Sequence, residues 1–275
     1  MRHPRVYGIA ALALVGVAAA VAFAQSTVIA VPDPAPVQTT PLDASAVADL
    51  AKAQWGDAKR GQTLAGTCAA CHGLDGNPPV ATGVDPQYPR LAGQSERYVA
   101  RQLALFKAGE RNTGMAAIMQ PYAMPLSAQD MRDLGAWFST QVAGAGVADD
   151  SAIATGPSKG MKFYQVGEQL FRQGDGSRGI PACMACHGPA GAGNPGPPYP
   201  HVAGQNAAYA MRRLQEYRAG TTTLREPGQF NVMAQVARQL TDDEINSLAS
   251  YLQGLHDRTL QAGAASATPA APAAH

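Results

Sequence analysis

The chain has 275 residues and a formal net charge of +1, so its composition points to no nucleic-acid partner and to no strongly charged one. Charged residues make up 15% and aromatic residues 6%, a thin supply of large core side chains. Small domains of that kind complete their cores with a metal, disulfides or a cofactor, and the length allows two of them once both ends are discounted.

The first element is an export signal. Arg2, His3 and Arg5 form a basic start, Val6 to Phe23 an apolar run, and Ala22-Phe23-Ala24 a small-x-small cleavage pattern. Residues 1–24 therefore read as a signal peptide or as an uncleaved anchor, because the run is long for a signal core and short for a spanning helix. Either way the rest of the chain is expected outside the cytoplasm. Residues 25–44, rich in Pro, Thr and Ser, read as a flexible linker.

From there the chain repeats itself. The first copy, 45–143, predicts a helix beginning near Gly61, then CAACHG from Cys68 to Gly73, then YPRLAGQ from Tyr88 to Gln94. A helix follows through Tyr98, Leu103 and Phe106 and ends at Gly109. Ser127 with Asp130 resembles a capping box and opens a closing helix through Leu134, Trp137 and Phe138. Residues 144–158, rich in Gly, Ala and Ser, are the linker between copies.

The second copy, 159–260, has the same order. A helix begins near Gly167, CMACHG runs from Cys183 to Gly188, and YPHVAGQ runs from Tyr199 to Gln205. Tyr209, Leu214, Tyr217 and Gly220 mark the next helix, and Thr241 with Glu244 starts the last, through Leu248, Tyr251 and Leu252. Residues 261–275 are an Ala/Pro-rich tail expected to be disordered. No convincing period-two pattern occurs, so the predicted fold class is all-α, two tandem units.

The four cysteines form two CxxC pairs, Cys68 with Cys71 and Cys183 with Cys186, each followed directly by a histidine. A disulfide framework is the plain reading of four cysteines in an exported chain, and a lone CxxC is half a zinc site. Two CxxCH strings inside two matched repeats point instead to covalent haem c. The thiols add to the two haem vinyl groups, and His72 and His187 become proximal iron ligands.

The sixth ligand decides what such a haem can do. Histidine is scarce: the first copy holds only His72, and in the second His201 stands where the first has Arg90, while His256 lies past the last helix. Methionine is therefore favoured, with Met115, Met119, Met124 and Met131 as candidates in the first copy. The repeat selects among them. Met119 lies seven positions before Leu126, and Met233 seven before Leu240, each leucine preceding a helix cap. In that register Met115 faces Gln229 and Met124 faces Arg238, so Met119 and Met233 are assigned as the distal ligands. Pro89 and Pro200 offer carbonyls that can orient the proximal histidines, and equally can be simple loop ends. Arg111 and Arg225 match in the repeat and are candidates to pair with haem propionates, or solvated surface arginines.

CxxCHG, a Pro-x-Leu-like turn and a methionine before a closing helix resemble the class I cytochromes c. The tandem arrangement with YPxxAGQ in each copy resembles the dihaem cytochrome c4 family, over roughly residues 50 to 258 and most closely from Gly167 to Asn194. The resemblance implies two class I cytochrome c domains, each wrapped around one haem and related by a pseudo-twofold axis, with the haem edges near each other. It implies a periplasmic carrier, free or tethered to the outer face of the inner membrane. Such a carrier takes electrons from a quinol-oxidising complex and delivers them to a terminal oxidase in a respiratory chain. It also implies His72 with Met119 and His187 with Met233 as axial pairs. Two departures stand out: the aromatic expected four residues after the first-helix glycine is present as Phe171 but replaced by Ala65, and extra residues separate Gly220 from Arg225. Two other functions compete with the carrier. One is a haem subunit of a membrane dehydrogenase or oxidase complex. The other is a dihaem enzyme acting on a small sulfur compound, which would need an open iron or a further cysteine.

Overall fold

The computed structural model describes residues 45–79, 88–196 and 199–256. The leader at 1–24, the linker at 25–44 and the tail at 261–275 lie outside the described residues. Among the described residues the secondary structure is helical, with isolated β-bridges but no strand. None of these helices is long and apolar enough to cross a membrane.

The first repeat contains α1 (Ser45–Asp49), α2 (Ala58–Leu64), α3 (Ala69–His72), α4 (Glu96–Lys107), α5 (Gln120–Ala123) and α6 (Ala128–Ser139). The second contains α7 (Phe163–Gln173), α8 (Met184–His187), α9 (Ala207–Ala219), α10 (Gly228–Ala237) and α11 (Asp242–Gly254). Both capping boxes form. The Ser127 hydroxyl accepts from the Asp130 amide, the Thr241 hydroxyl accepts from the Glu244 amide, and each acid accepts the cap amide in return.

The helix before each CxxCH string starts earlier than the sequence suggested. Asp57 caps α2 by accepting from the amides of Lys59 and Arg60, and α7 begins at Phe163. Gly61 and Gly167 therefore lie inside their helices, where glycine costs about 1 kcal/mol against alanine. Their value is proximity. A Cβ on Gly61 would stand 1.9 Å from the Asp133 carbonyl oxygen, and one on Gly167 would stand 2.1 Å from that of Ser247. The missing side chain lets α2 pack on α6 and α7 pack on α11, backbone against backbone.

Each repeat closes a core around that crossing. In the second, Phe171 is fully buried against Tyr251, with ring centroids 5.4 Å apart, and Leu170, Ile245 and Leu248 join the cluster. In the first, Ala65 is also fully buried, and Phe138, Leu134 and Val99 pack around it, with Trp137 at the edge. The small residue at 65 is thus met by aromatic side chains from the closing helix.

The linker at 144–158 packs onto the second repeat. The Gly146 amide donates to the Gln253 carbonyl at 2.9 Å, and Ile153 is 3% exposed within the second core.

Candidate functional site

Each CxxCH string folds as a single helical turn ending on its histidine: α3 closes at His72 and α8 at His187. Residues three apart on such a turn share a face, which brings Cys68 beside Cys71 and Cys183 beside Cys186. None of the four cysteines forms a disulfide. Burial raises the Cys68 pKa, helped by Cys71, and pushes the Cys183 thiol up to about 11.

The two imidazoles are held alike. His72 and His187 are 5% and 8% exposed. The His72 Nδ1–H donates to the Pro89 carbonyl at 2.9 Å, and the His187 Nδ1–H donates to the Pro200 carbonyl at 2.9 Å. Proline has no amide hydrogen and sits outside any helix here, so its carbonyl is free for this bond. A proton fixed on Nδ1 leaves the lone pair on Nε2, the tautomer a metal needs. Burial pushes both imidazole pKa values down, opposed by the proline carbonyl bonds. Tyr88 and Tyr199 stand beside the two rings at 6.1 and 6.3 Å between centroids. Two thiols and one oriented imidazole per repeat fit one covalently attached haem in each.

The methionines sit differently in the two repeats. Met119 ends a 3₁₀ turn, Gly114–Met119, and α5 then starts at Gln120 with Pro121 in its first turn; Met233 lies inside the regular helix α10. Gln235 holds the position of Pro121, and the proline, lacking an N–H, breaks what is one continuous helix in the second repeat. Met119 and Met233 are both half-buried. Met124 is 54% exposed, and Met131 is 1% exposed in the packing between α1, α4 and α6. His256 is exposed and bonds the Gly254 carbonyl.

Arg111 and Arg225 both lie where the two repeats meet. The Arg111 guanidinium donates to Gln102 and, across the boundary, to the Tyr209 hydroxyl at 3.0 Å, and it stacks on Phe106. Arg225 pairs with Glu110 of the first repeat at 3.3 Å, and its amide donates to the same carboxylate. The extra residues after Gly220 serve this junction too: the Thr223 hydroxyl donates to the Glu110 carbonyl at 2.6 Å.

The centre of the boundary is a matched set of bonds unassigned from sequence. Gln205 receives the Arg90 amide at 2.7 Å and donates to the Arg90 carbonyl at 3.0 Å. Gln94 receives the His201 amide at 3.0 Å and donates to the His201 carbonyl at 2.7 Å. Gln94 and Gln205 are 4% and 6% exposed. Each belongs to a YPxxAGQ string and reaches the other string, as a twofold axis between the repeats requires. The recurrence of the glutamine was the available signal; its partner was not readable, because a repeat does not say whether it contacts itself or its copy.

Comparison with known proteins agrees with this geometry. The cytochrome c family model matches the chain twice, over residues 58–141 and 164–256. Cytochrome c4 of Pseudomonas aeruginosa is 39% identical over 201 residues, covering 73% of this chain and 90% of that protein. The thiosulfate dehydrogenase electron acceptor of Stutzerimonas stutzeri is 38% identical over 184 residues, covering 67% of this chain and 76% of that one. The crystal structure of reduced recombinant cytochrome c4 from Pseudomonas stutzeri superposes with a TM-score of 0.61 at 39% identity, covering 73% of this chain and 100% of that one. Two oriented CxxCH sites in two matched helical repeats, with relatives of this extent, make the chain a member of the dihaem cytochrome c4 family: an electron-transfer protein, not an enzyme, that carries two covalently attached haem c groups.

Proposed function

We propose that the chain is an exported electron carrier of the periplasm, free or tethered to the inner membrane, which receives electrons from a quinol-oxidising complex and passes them to a terminal oxidase. Cys68 and Cys71, and Cys183 and Cys186, would each hold a haem through thioethers made by adding S–H across its vinyl groups, with His72 and His187 as the proximal ligands and Met119 and Met233 as the distal ones. Bound in this way, each haem supplies one-electron exchange between ferric and ferrous iron.

The observation that supports the reading is that each repeat holds a buried histidine oriented by a proline carbonyl, together with a half-buried methionine at the matching position of the repeat. Two firm ligands per iron favour electron transfer over ligand chemistry, and a thioether favours the ferrous state, raising the potential. Export is supported by the basic start and apolar run at 1–24.

The test is a set of visible spectra of the holoprotein: oxidised, reduced, and reduced under carbon monoxide. The expected result is a far-red methionine-to-iron charge-transfer band in the oxidised form and no change under carbon monoxide. Loss of the band, or carbon monoxide binding to one haem, would overturn the carrier reading and revive an enzyme with an open iron. A second donor is supported by the likeness to the thiosulfate dehydrogenase electron acceptor. Stopped-flow reduction by a thiosulfate dehydrogenase, set against reduction by a quinol-oxidising complex, separates the two.

A further inference from the structure

The two glutamines do more than join the repeats. The carbonyl of Pro89 and the amide N–H of Arg90 belong to one peptide group. The carbonyl accepts from His72 at 2.9 Å, and the N–H donates to Oε1 of Gln205 at 2.7 Å. The second repeat has the mirror arrangement. The Pro200 carbonyl accepts from His187 at 2.9 Å, and the His201 N–H of the same peptide donates to Oε1 of Gln94 at 3.0 Å. A peptide whose N–H is bonded becomes a stronger acceptor at its carbonyl, because the two bonds polarise the same amide. A stronger acceptor on Nδ1–H makes the imidazole more electron-rich at Nε2.

We propose that Gln205 and Gln94 are crossed positioning residues: each sets the electron-donating strength of the proximal histidine in the opposite repeat, Gln205 acting on His72 and Gln94 on His187. This rests on His72 and His187 being the proximal ligands. The chain of bonds is short and dry. Both glutamines are buried, and each also donates to the carbonyl of the residue it receives from, which fixes its amide orientation. The potential of one haem is thereby coupled to the packing of the other repeat, and separating the repeats removes both influences at once.

The test uses the complete holoprotein and its Gln205→Leu and Gln94→Leu variants. Redox titrations are followed by proton NMR, with haem methyl resonances assigned to each repeat so that each potential is read separately. Ligation is checked first, by the upfield methionine resonances and the histidine ring N–H resonances of the wild-type protein. If those are missing, the ligand assignment fails and the glutamine proposal falls with it. With them present, Gln205→Leu is expected to raise the potential of the first-repeat haem and leave the second nearly unchanged, and Gln94→Leu to do the reverse. The ring N–H resonance of the opposite histidine shifts in each case. Equal movement of both haems, or movement confined to the haem of the mutated repeat, overturns the crossed assignment. Should a leucine variant not take up both haems, Gln205→Glu decides, because it keeps an oxygen for the Arg90 N–H and strengthens the pull. A larger fall in the first-repeat potential than in the second supports the proposal, and a rise, no change or an equal fall in both overturns it.

Discussion

At the residue scale, the chemistry is set by single atoms whose alternatives have been removed. His72 and His187 each lose one of two tautomers to a proline carbonyl. Met131 and Met124 are taken up by core and solvent respectively, which leaves Met115 and Met119 half-buried, and of these two Met119 is in register with Met233. Met119→Ala is therefore expected to open one iron, so that about half of the reduced haem binds carbon monoxide, and Met233→Ala to open the other. Spectra taken under carbon monoxide check both, and unchanged spectra in either variant would refute that assignment.

Carboxylates at helix starts and turns carry a separate, titratable stability. Bonds from Ser177 and then Arg178 lower Asp175 from 3.8 to about 2. Burial works against the lowering at Asp130 and Glu244. Bonds from Ser127 with the Arg60 charge prevail at Asp130, and bonds from Arg178 and Thr241 prevail at Glu244. A depressed carboxylate contributes its stability above its unfolded pKa and loses it as pH falls through the folded value. For Asp175 that window runs from 3.8 down to about 2. Urea midpoints measured at stepped pH should fall across this range, and Asp175→Asn should flatten the slope there and leave it unchanged at pH 6.

At the scale of elements, each repeat depends on one helix crossing and one cap. Gly167→Ala would push a methyl into the Ser247 carbonyl and the Tyr251 Cβ, and Gly61→Ala would do the same against Asp133 and Trp137. Forced separation of packed backbones is expected to cost about 3 kcal/mol in either variant. Denaturant unfolding of the holoprotein measures it, and a cost under about 1 kcal/mol would show that the crossing tolerates a side chain. Ser127→Ala and Thr241→Ala each remove one cap and are expected to cost about 1 kcal/mol by the same measurement. The difference between the repeats around the methionine also belongs here: Pro121 divides the first repeat's segment into a 3₁₀ turn and α5, whereas α10 is continuous.

At the scale of the whole molecule, buried polar groups join the repeats. Arg90, Gln94, Gln205 and Asn206 are all buried, and they bond across the boundary to backbone carbonyls and amides. Bonds of this kind are directional, so the junction specifies one orientation. They are also shielded from salt, unlike exposed ion pairs. Glu110 is buried, and Arg225 is its cation partner across the boundary. Removing one member of a fully buried pair costs 3–5 kcal/mol. Arg225 is partly exposed, so Arg225→Ala is expected to cost about 2 kcal/mol and to separate the thermal unfolding of the two repeats into distinct transitions. Calorimetry distinguishes this from a single lowered transition, which would mean that the junction does not depend on this pair.

What the sequence determined by itself was whatever depends on neighbours a few positions apart. The CxxCH turns, the capping boxes and the glycines ending α4 and α9 are local, and a duplicated chain states each of them twice. Register comparison also singled out Met119 as the proposed counterpart of Met233, although one ends a 3₁₀ turn and the other lies inside a regular helix. The tertiary structure alone decided what depends on partners over a hundred positions away. Gly61 and Gly167 read as helix starts until the crossing helices showed why a side chain is excluded there. Arg111 and Arg225 read as propionate partners or surface residues, and in the structure both reach across the boundary, to Tyr209 and Glu110. Gln94 and Gln205 are two copies of one letter in one motif. That each grips the other copy follows from how two finished surfaces meet, and no pattern along a single chain encodes that meeting.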